Sequence, residues 1–155
     1  MHKAKTYTRA SGVLPIDPAR APIGEQLRVY DSEIQEAASS MIRSISGWRA
    51  IFTSDGKPDS MTLSISAPMQ YLAAAMALSY TRFLSETGRD GRVLIACDGR
   101  PTGPAIADVM IRVFLYLGRE VDLAGVLSSP HATALAAADS DIAGLCYITA
   151  SHNPP

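Results

Sequence analysis

This sequence has almost no cysteine, no excess charge of either sign and no apolar run long enough to span a bilayer, and each shortage narrows what it can do. Its two cysteines, Cys97 and Cys146, sit inside apolar stretches without the spacing of a metal site or a redox pair, which points to buried free thiols in a reducing compartment. The net charge is −1, so there is no electrostatic footprint for nucleic acid or an anionic membrane, and a polyanion would have to be held by a local site. The opening stretch "MHKAKTYTRASGVLP" is basic but has no apolar signal core, and the greasiest segment, "MQYLAAAMALSYTRFL", is too short and too interrupted to cross a membrane. These absences predict a soluble, cytoplasmic protein with no nucleic-acid or membrane partner. The sequence also lacks an internal repeat, a Gly-x-Ser-x-Gly elbow and a Gly-x-Gly-x-x-Gly fingerprint, which argues against an α/β-hydrolase nucleophile and a dinucleotide-binding fold.

What is present is ordinary globular material. The chain has 155 residues, 47% hydrophobic and 19% charged, enough for one domain with a real core. Residues 1–30 are rich in Pro, Ala, Arg and Gly without a sustained period, and are expected to form an extended N-terminal arm, leaving 31–155 as the domain. "SEIQ" from Ser32 fits a capping box, and Ile34, Ala37, Ala38, Met41, Ile42 and Ile45 recur at helical spacing up to a break at Ser46 and Gly47. "WRAIF" reads as a short strand, and Ser66-Ala67-Pro68 opens a long helix with Met69, Leu72, Met76, Tyr80 and Phe83 on one face and Gly88 as its end.

A more regular alternation follows. Strand "RVLIA", turn "CDGRPTG" and a helix over 104–117 with Ile106, Val109, Met110, Val113 and Leu117 inward lead to Gly118, then strand "EVDLAGV", a helix from Ser129-Pro130 and strand "AGLCYI". Two successive β-α-β units predict an α/β fold with a mostly parallel sheet covered by helices.

In such a sheet, ligands bind beyond the carboxyl ends of the strands. Three polar clusters are assigned there: Asp98 to Gly103, Ser128-Ser129, and Thr149 to Asn153. Ser151 and His152 are neighbours, and neighbouring strand residues point to opposite faces, so a protease-like Ser-His pair is awkward. A serine that carries a phosphoryl group fits better, because a phosphoserine brings roughly two negative charges and needs exposed donors, an arginine and often a metal. Arg49, His152 and Asn153 are suitable donors, and Pro154 and Pro155 stiffen the loop.

At this point the residues resemble a family. "TASHNPP" is similar to the phosphoserine loop of the α-D-phosphohexomutases, the phosphoglucomutases and phosphomannomutases. "SISGWR" resembles that family's N-terminal Thr-Ser-Gly-x-Arg segment, and "CDGRPTGPAIADVM" its Asp-x-Arg-Pro-Ser-Gly segment, although Cys97 stands where the family often has arginine. The likeness spans roughly residues 43–155, and the fold it implies is domain I of the phosphohexomutases. It implies that Ser151 is the phosphorylated serine and ligates Mg²⁺ through its phosphate. Arg49 would contact the phosphate and the reacting part of the sugar, His152 would assist orientation or proton handling, and Asn153 would bind substrate. The implied reaction interconverts hexose 1-phosphate and hexose 6-phosphate through a hexose bisphosphate intermediate.

The family's metal-binding Asp-Gly-Asp-x-Asp loop, sugar-specificity loop and final phosphate-binding domain have no counterpart in these residues. The chain therefore reads as the first of four domains of a longer enzyme, inactive when isolated, with the remaining mutase domains or another copy of itself as partners. The rival expectation is a truncated, non-catalytic relative serving as a binding or regulatory module, or an inactive fragment. Taken singly, each residue also has a plainer role. Ser151 could be a turn former, His152 a solvated loop residue and Arg49 a surface residue beside Trp48. Asp98 and Arg100 are expected to shape their turn through a local ion pair rather than to touch substrate.

Overall fold

The computed structural model describes residues 31–44 and 47–150 in full and the backbone of 5–9 and 12–16. In chain order the elements are β1 (Lys5–Arg9), β2 (Gly12–Ile16), α1 (Asp31–Ser40), β3 (Ile42–Ser44), β4 (Gly47–Arg49), α2 (Ala67–Glu86), β5 (Arg92–Cys97), α3 (Gly103–Tyr116), β6 (Val121–Val126), α4 (Ser129–Ala138) and β7 (Ile142–Ile148). The main sheet runs β2-β1-β6-β5-β7. Its β1/β6, β6/β5 and β5/β7 pairs are parallel, and only β1/β2 is antiparallel. The expected α/β fold with a mostly parallel sheet is what forms.

β5 is central among the strands that follow α2, and its burial shows why. A strand covered on both faces needs apolar residues at every position, and Val93, Leu94, Ile95, Ala96 and Cys97 are all buried. Val93, Ile95 and Cys97 join the main core with Leu72, Ala77, Leu84, Ile106, Val113 and Phe114 from α2 and α3. Leu94 and Ala96 belong to the other face by the strand's period of two. α2 packs on α3 and α1 on α2, while α4 packs on β7. Tyr80 of α2 meets Phe114 of α3 edge to face, centroids 6.5 Å apart.

Helix ends follow the expected chemistry in two cases. Gly88 and Gly118 take φ of 67° and 87°, the left-handed conformation that lets a helix stop and turn its last carbonyls onto following N–H groups. Arg89 N–H donates to the Leu84 carbonyl and Arg119 N–H to that of Phe114. Among the described residues no helix is long and apolar enough to cross a membrane.

Four expectations are corrected. α1 stops at Ser40, so Met41 and Ile42 are not helical, and Ile45 lies outside the described residues. The hydroxyls of Ser39 and Ser40 donate back to the carbonyls of Glu36 and Ala37, a local bond that competes with further helix. Phe83 and Leu117, expected inward, are 50% and 38% exposed. Phe83 lies one position before the buried Leu84, and Leu117 falls at the cap of α3 where the helical face ends. The strand expected at 48–52 is confined to Gly47–Arg49. No strand was expected within residues 1–30, yet β1 and β2 extend the sheet there.

Candidate functional site

Parallel strands leave a sheet on the same edge, and here that edge gathers the turn from Asp98 to Gly103, Ser128-Ser129 and, of the third cluster, Thr149 and Ala150. β5, β6 and β7 are neighbours, so the turn after Cys97, the connection after Val126 and the segment after Ile148 emerge side by side. Hydrogen bonds tie them together. Leu127 N–H donates to the Cys97 carbonyl at 3.0 Å, and Asp98 N–H donates to the Ile148 carbonyl at 2.9 Å. The Tyr147 hydroxyl donates to the Leu127 carbonyl at 2.8 Å.

Asp98 sits at the middle of this edge. Its Oδ1 accepts from Arg100 N–H at 3.0 Å, closing an Asx turn, and Arg100 Nε lies 3.6 Å from Oδ2. The expected turn-shaping ion pair is therefore present. Sequence reasoning missed a further bond: Asp98 Oδ2 accepts from Ala150 N–H at 3.1 Å. Ala150 is the residue before Ser151.

A second contact was also missed. At the start of α4, Ser128 Oγ and His131 Nδ1 are hydrogen-bonded at 2.8 Å. The three-residue spacing at a helix start is the signal that could have found it, since positions three apart face each other there. The contact occupies the Ser128 hydroxyl, which makes no cap bond to the α4 backbone.

Arg49 is placed differently. It ends β4, which pairs with β3 in a separate two-stranded ribbon where every described residue is exposed. Arg49 lies opposite Ile42 and Trp48 opposite Arg43, so Arg49 and Trp48 point to opposite faces of the ribbon. Among the described residues Arg49 makes no salt bridge or side-chain hydrogen bond. The ribbon is held where the chain leaves it, because Ala50 and Phe52 pack against the core and Thr53 bridges to Ile65. Ser151, His152 and Asn153 lie outside the described residues.

Both thiols are inert by environment. Burial and then the Asp98 charge push Cys97 up to about 11, and burial pushes Cys146 up to about 12. Neither is in a disulfide.

Residues 47–155 match the family model described as phosphoglucomutase/phosphomannomutase, alpha/beta/alpha domain I. The chain belongs to that family. No curated protein and no solved structure matches it. The match to phosphohexomutase domain I begins at the Gly47 end of the ribbon and takes in Arg49, the Asp98 turn, Ser128 and the Ser151 loop. The family implies Mg²⁺. Among the described residues no three His, Cys, Asp or Glu side chains come together to hold a metal ion.

Proposed function

We propose that this domain carries the phosphoryl group of a sugar-phosphate mutase on Ser151, within an enzyme that interconverts hexose 1-phosphate and hexose 6-phosphate. The observation that carries the reading is the single edge at which β5, β6 and β7 end, where Asp98 holds the residue before Ser151, in a chain of this family. A phosphoryl carrier must present its oxygen beyond the sheet, near donors and open to a sugar, and a loop that leaves the sheet at its carboxyl edge supports this reading.

The chemistry balances as two transfers. A hexose bisphosphate gives one phosphoryl group to Ser151: the Oγ–P bond forms, the sugar O–P bond breaks, and the serine proton passes to the departing sugar oxygen. In turnover, phosphoserine gives its group to the free hydroxyl of a hexose monophosphate, and the resulting bisphosphate reorients and returns its other phosphate to the serine. The Arg49 guanidinium, unpaired among the described residues, contacts phosphate and the reacting part of the sugar. His152 handles the proton or orients the phosphate, and Asn153 supplies a donor to substrate. Mg²⁺ would bind through the phosphate on Ser151 and neutralise part of its charge.

Positioning and electrostatic preorganisation supply most of the rate in such transfers. The 155-residue chain alone is accordingly expected to take phosphate slowly and to show no measurable mutase turnover. The test is a coupled conversion of hexose 1-phosphate to hexose 6-phosphate with bisphosphate and Mg²⁺, beside direct measurement of phosphate on Ser151. Phosphate that appears equally in Ser151→Ala would remove the carrier role.

A further inference from the structure

We propose that Asp98 is a positioning residue for the phosphoryl-carrying loop: its carboxylate fixes the backbone at Ala150 and so sets the direction in which the chain delivers Ser151. The inference rests on the carrier reading above. Asp98 grips β7 and its continuation on both sides of Thr149. Its main-chain N–H donates to the Ile148 carbonyl at 2.9 Å, and its Oδ2 accepts from Ala150 N–H at 3.1 Å. One such bond would leave the segment free to pivot about it. Two, placed two residues apart, fix both position and heading.

Asp98 itself cannot drift. Its Oδ1 is held by Arg100 N–H at 3.0 Å, and the preceding Cys97 is bonded through its carbonyl to Leu127 N–H. Leu127 is bonded in turn to the Tyr147 hydroxyl. The grip therefore refers the loop to all of β5, β6 and β7. Charge is managed as well. A phosphate of about −2 on the next residue would repel a bare carboxylate, and Arg100 Nε, 3.6 Å from Oδ2, offsets part of that repulsion. Both side chains are 22% exposed, so their bonds are partly shielded from competing water, where charge-assisted bonds are strongest.

The chemistry also explains why an aspartate is needed rather than any turn former. The local turn needs one acceptor, which asparagine supplies equally well. Reaching Ala150 N–H at the same time needs a second acceptor on the other oxygen. An asparagine would place an NH₂ there, donor against donor. Asp98→Asn therefore keeps size and local turn and removes the distant bond.

The experiment uses the full chain with α-D-glucose 1,6-bisphosphate and Mg²⁺, and follows phosphate on Ser151 by mass spectrometry against bisphosphate concentration. In Asp98→Asn the maximal rate is expected to fall roughly 100-fold, and further in Asp98→Ala, with the half-saturating concentration unchanged. Amide hydrogen exchange at Ala150 should quicken in both variants while β5 and β7 keep their protection. Asp108→Asn, which removes an exposed carboxylate from the Arg112 ion pair on α3, should match the wild type. A wild-type rate in Asp98→Asn, a loss confined to half-saturation, or an unchanged Ala150 amide would each overturn the proposal. Protection lost throughout β5 and β7 would make Asp98 merely structural and overturn it too. If the wild type takes no phosphate at all, the carrier reading fails first and this inference falls with it.

Discussion

The two ends of one parallel sheet are built for opposite purposes. At the amino ends of β5 and β7 the charges are committed to the protein itself. Arg92 donates to Asp122 Oδ2 at 2.8 Å and Asp139 Oδ2 at 2.6 Å and lies 3.8 Å from Asp141. Arg119, only 8% exposed, donates to the Arg89 carbonyl at 2.8 Å and to Ser85 Oγ at 2.9 Å. A cavity of about 590 Å³ opens there, lined among others by Ser85, Asp90, Arg92, Arg119, Glu120 and Asp141. At the carboxyl ends Asp98 is instead aimed at a backbone amide, that of Ala150, next to Ser151. The hollow at the amino ends is walled by guanidinium groups that already have carboxylate and carbonyl partners, whereas the carboxyl edge holds Ala150, the residue before Ser151, through Asp98.

Substitutions on either edge can break this contrast. The largest stability effect is expected from Arg92→Ala, which strands Asp122 and Asp139. It should cost about 2 kcal/mol in urea unfolding with an unchanged m-value, while phosphate uptake at Ser151 per folded molecule stays at the wild-type rate. Uptake lost with Arg92 would mean that the two edges are coupled. Arg49→Ala should give the mirror image. Stability should stay within about 0.5 kcal/mol, as for other exposed positions without partners, and phosphate uptake should fall at least about 10-fold, as expected on losing a charged donor. A variant that unfolds readily yet takes phosphate normally would remove Arg49 from the site.

Between these lies Asp98→Asn, whose stability cost should be about 1 kcal/mol, one hydrogen bond's worth. That is less than the cost at Arg92, although its effect on phosphate uptake is far greater. Equal stability losses at Asp98 and Arg92 would erase the distinction between a functional and a structural carboxylate cluster.

How much of this could be read from the sequence depends on how local the cause is. The β-α-β alternation was legible, since the apolar run from Val93 to Cys97 and the helical spacing from Ile106 to Val113 declare themselves within a few residues. The end of α1 was not. Met41 and Ile42 continue the helical spacing, and only the back-bonding of Ser39 and Ser40 tells against it. β1 and β2 were hidden because each is only 5 residues long, too short for a period to emerge among prolines and glycines. At the site, Asp98 and Arg100 were legible as a turn. The bond from Asp98 to Ala150 spans 52 residues, and nothing in either local sequence encodes it. The family loop at Ser151 was legible as a motif and lies outside the described residues.

The smallest expected effect concerns the thiols. Cys97 and Cys146 have ordinary values of 9.0 and are raised to about 11 and about 12 in the folded chain. Each thiol thus favours the native state while neutral. That contribution is complete below pH 9 and is lost as pH climbs above it, because the unfolded chain then releases protons that the native chain retains. From about pH 8 to about pH 9 the loss should stay below about 1 kcal/mol, and native protein should react with iodoacetamide far more slowly than protein in denaturant. Rapid alkylation of native Cys97 would show that the site edge is more open than its packing implies.

The central claim is that Ser151 is the phosphoryl carrier, and its most direct measurement is the location of phosphate after incubation with α-D-glucose 1,6-bisphosphate and Mg²⁺. Intact mass followed by peptide mapping should find a single phosphate on Ser151 and none on Ser151→Ala. A folded wild-type chain that takes no phosphate, or takes it at another residue, would contradict the account.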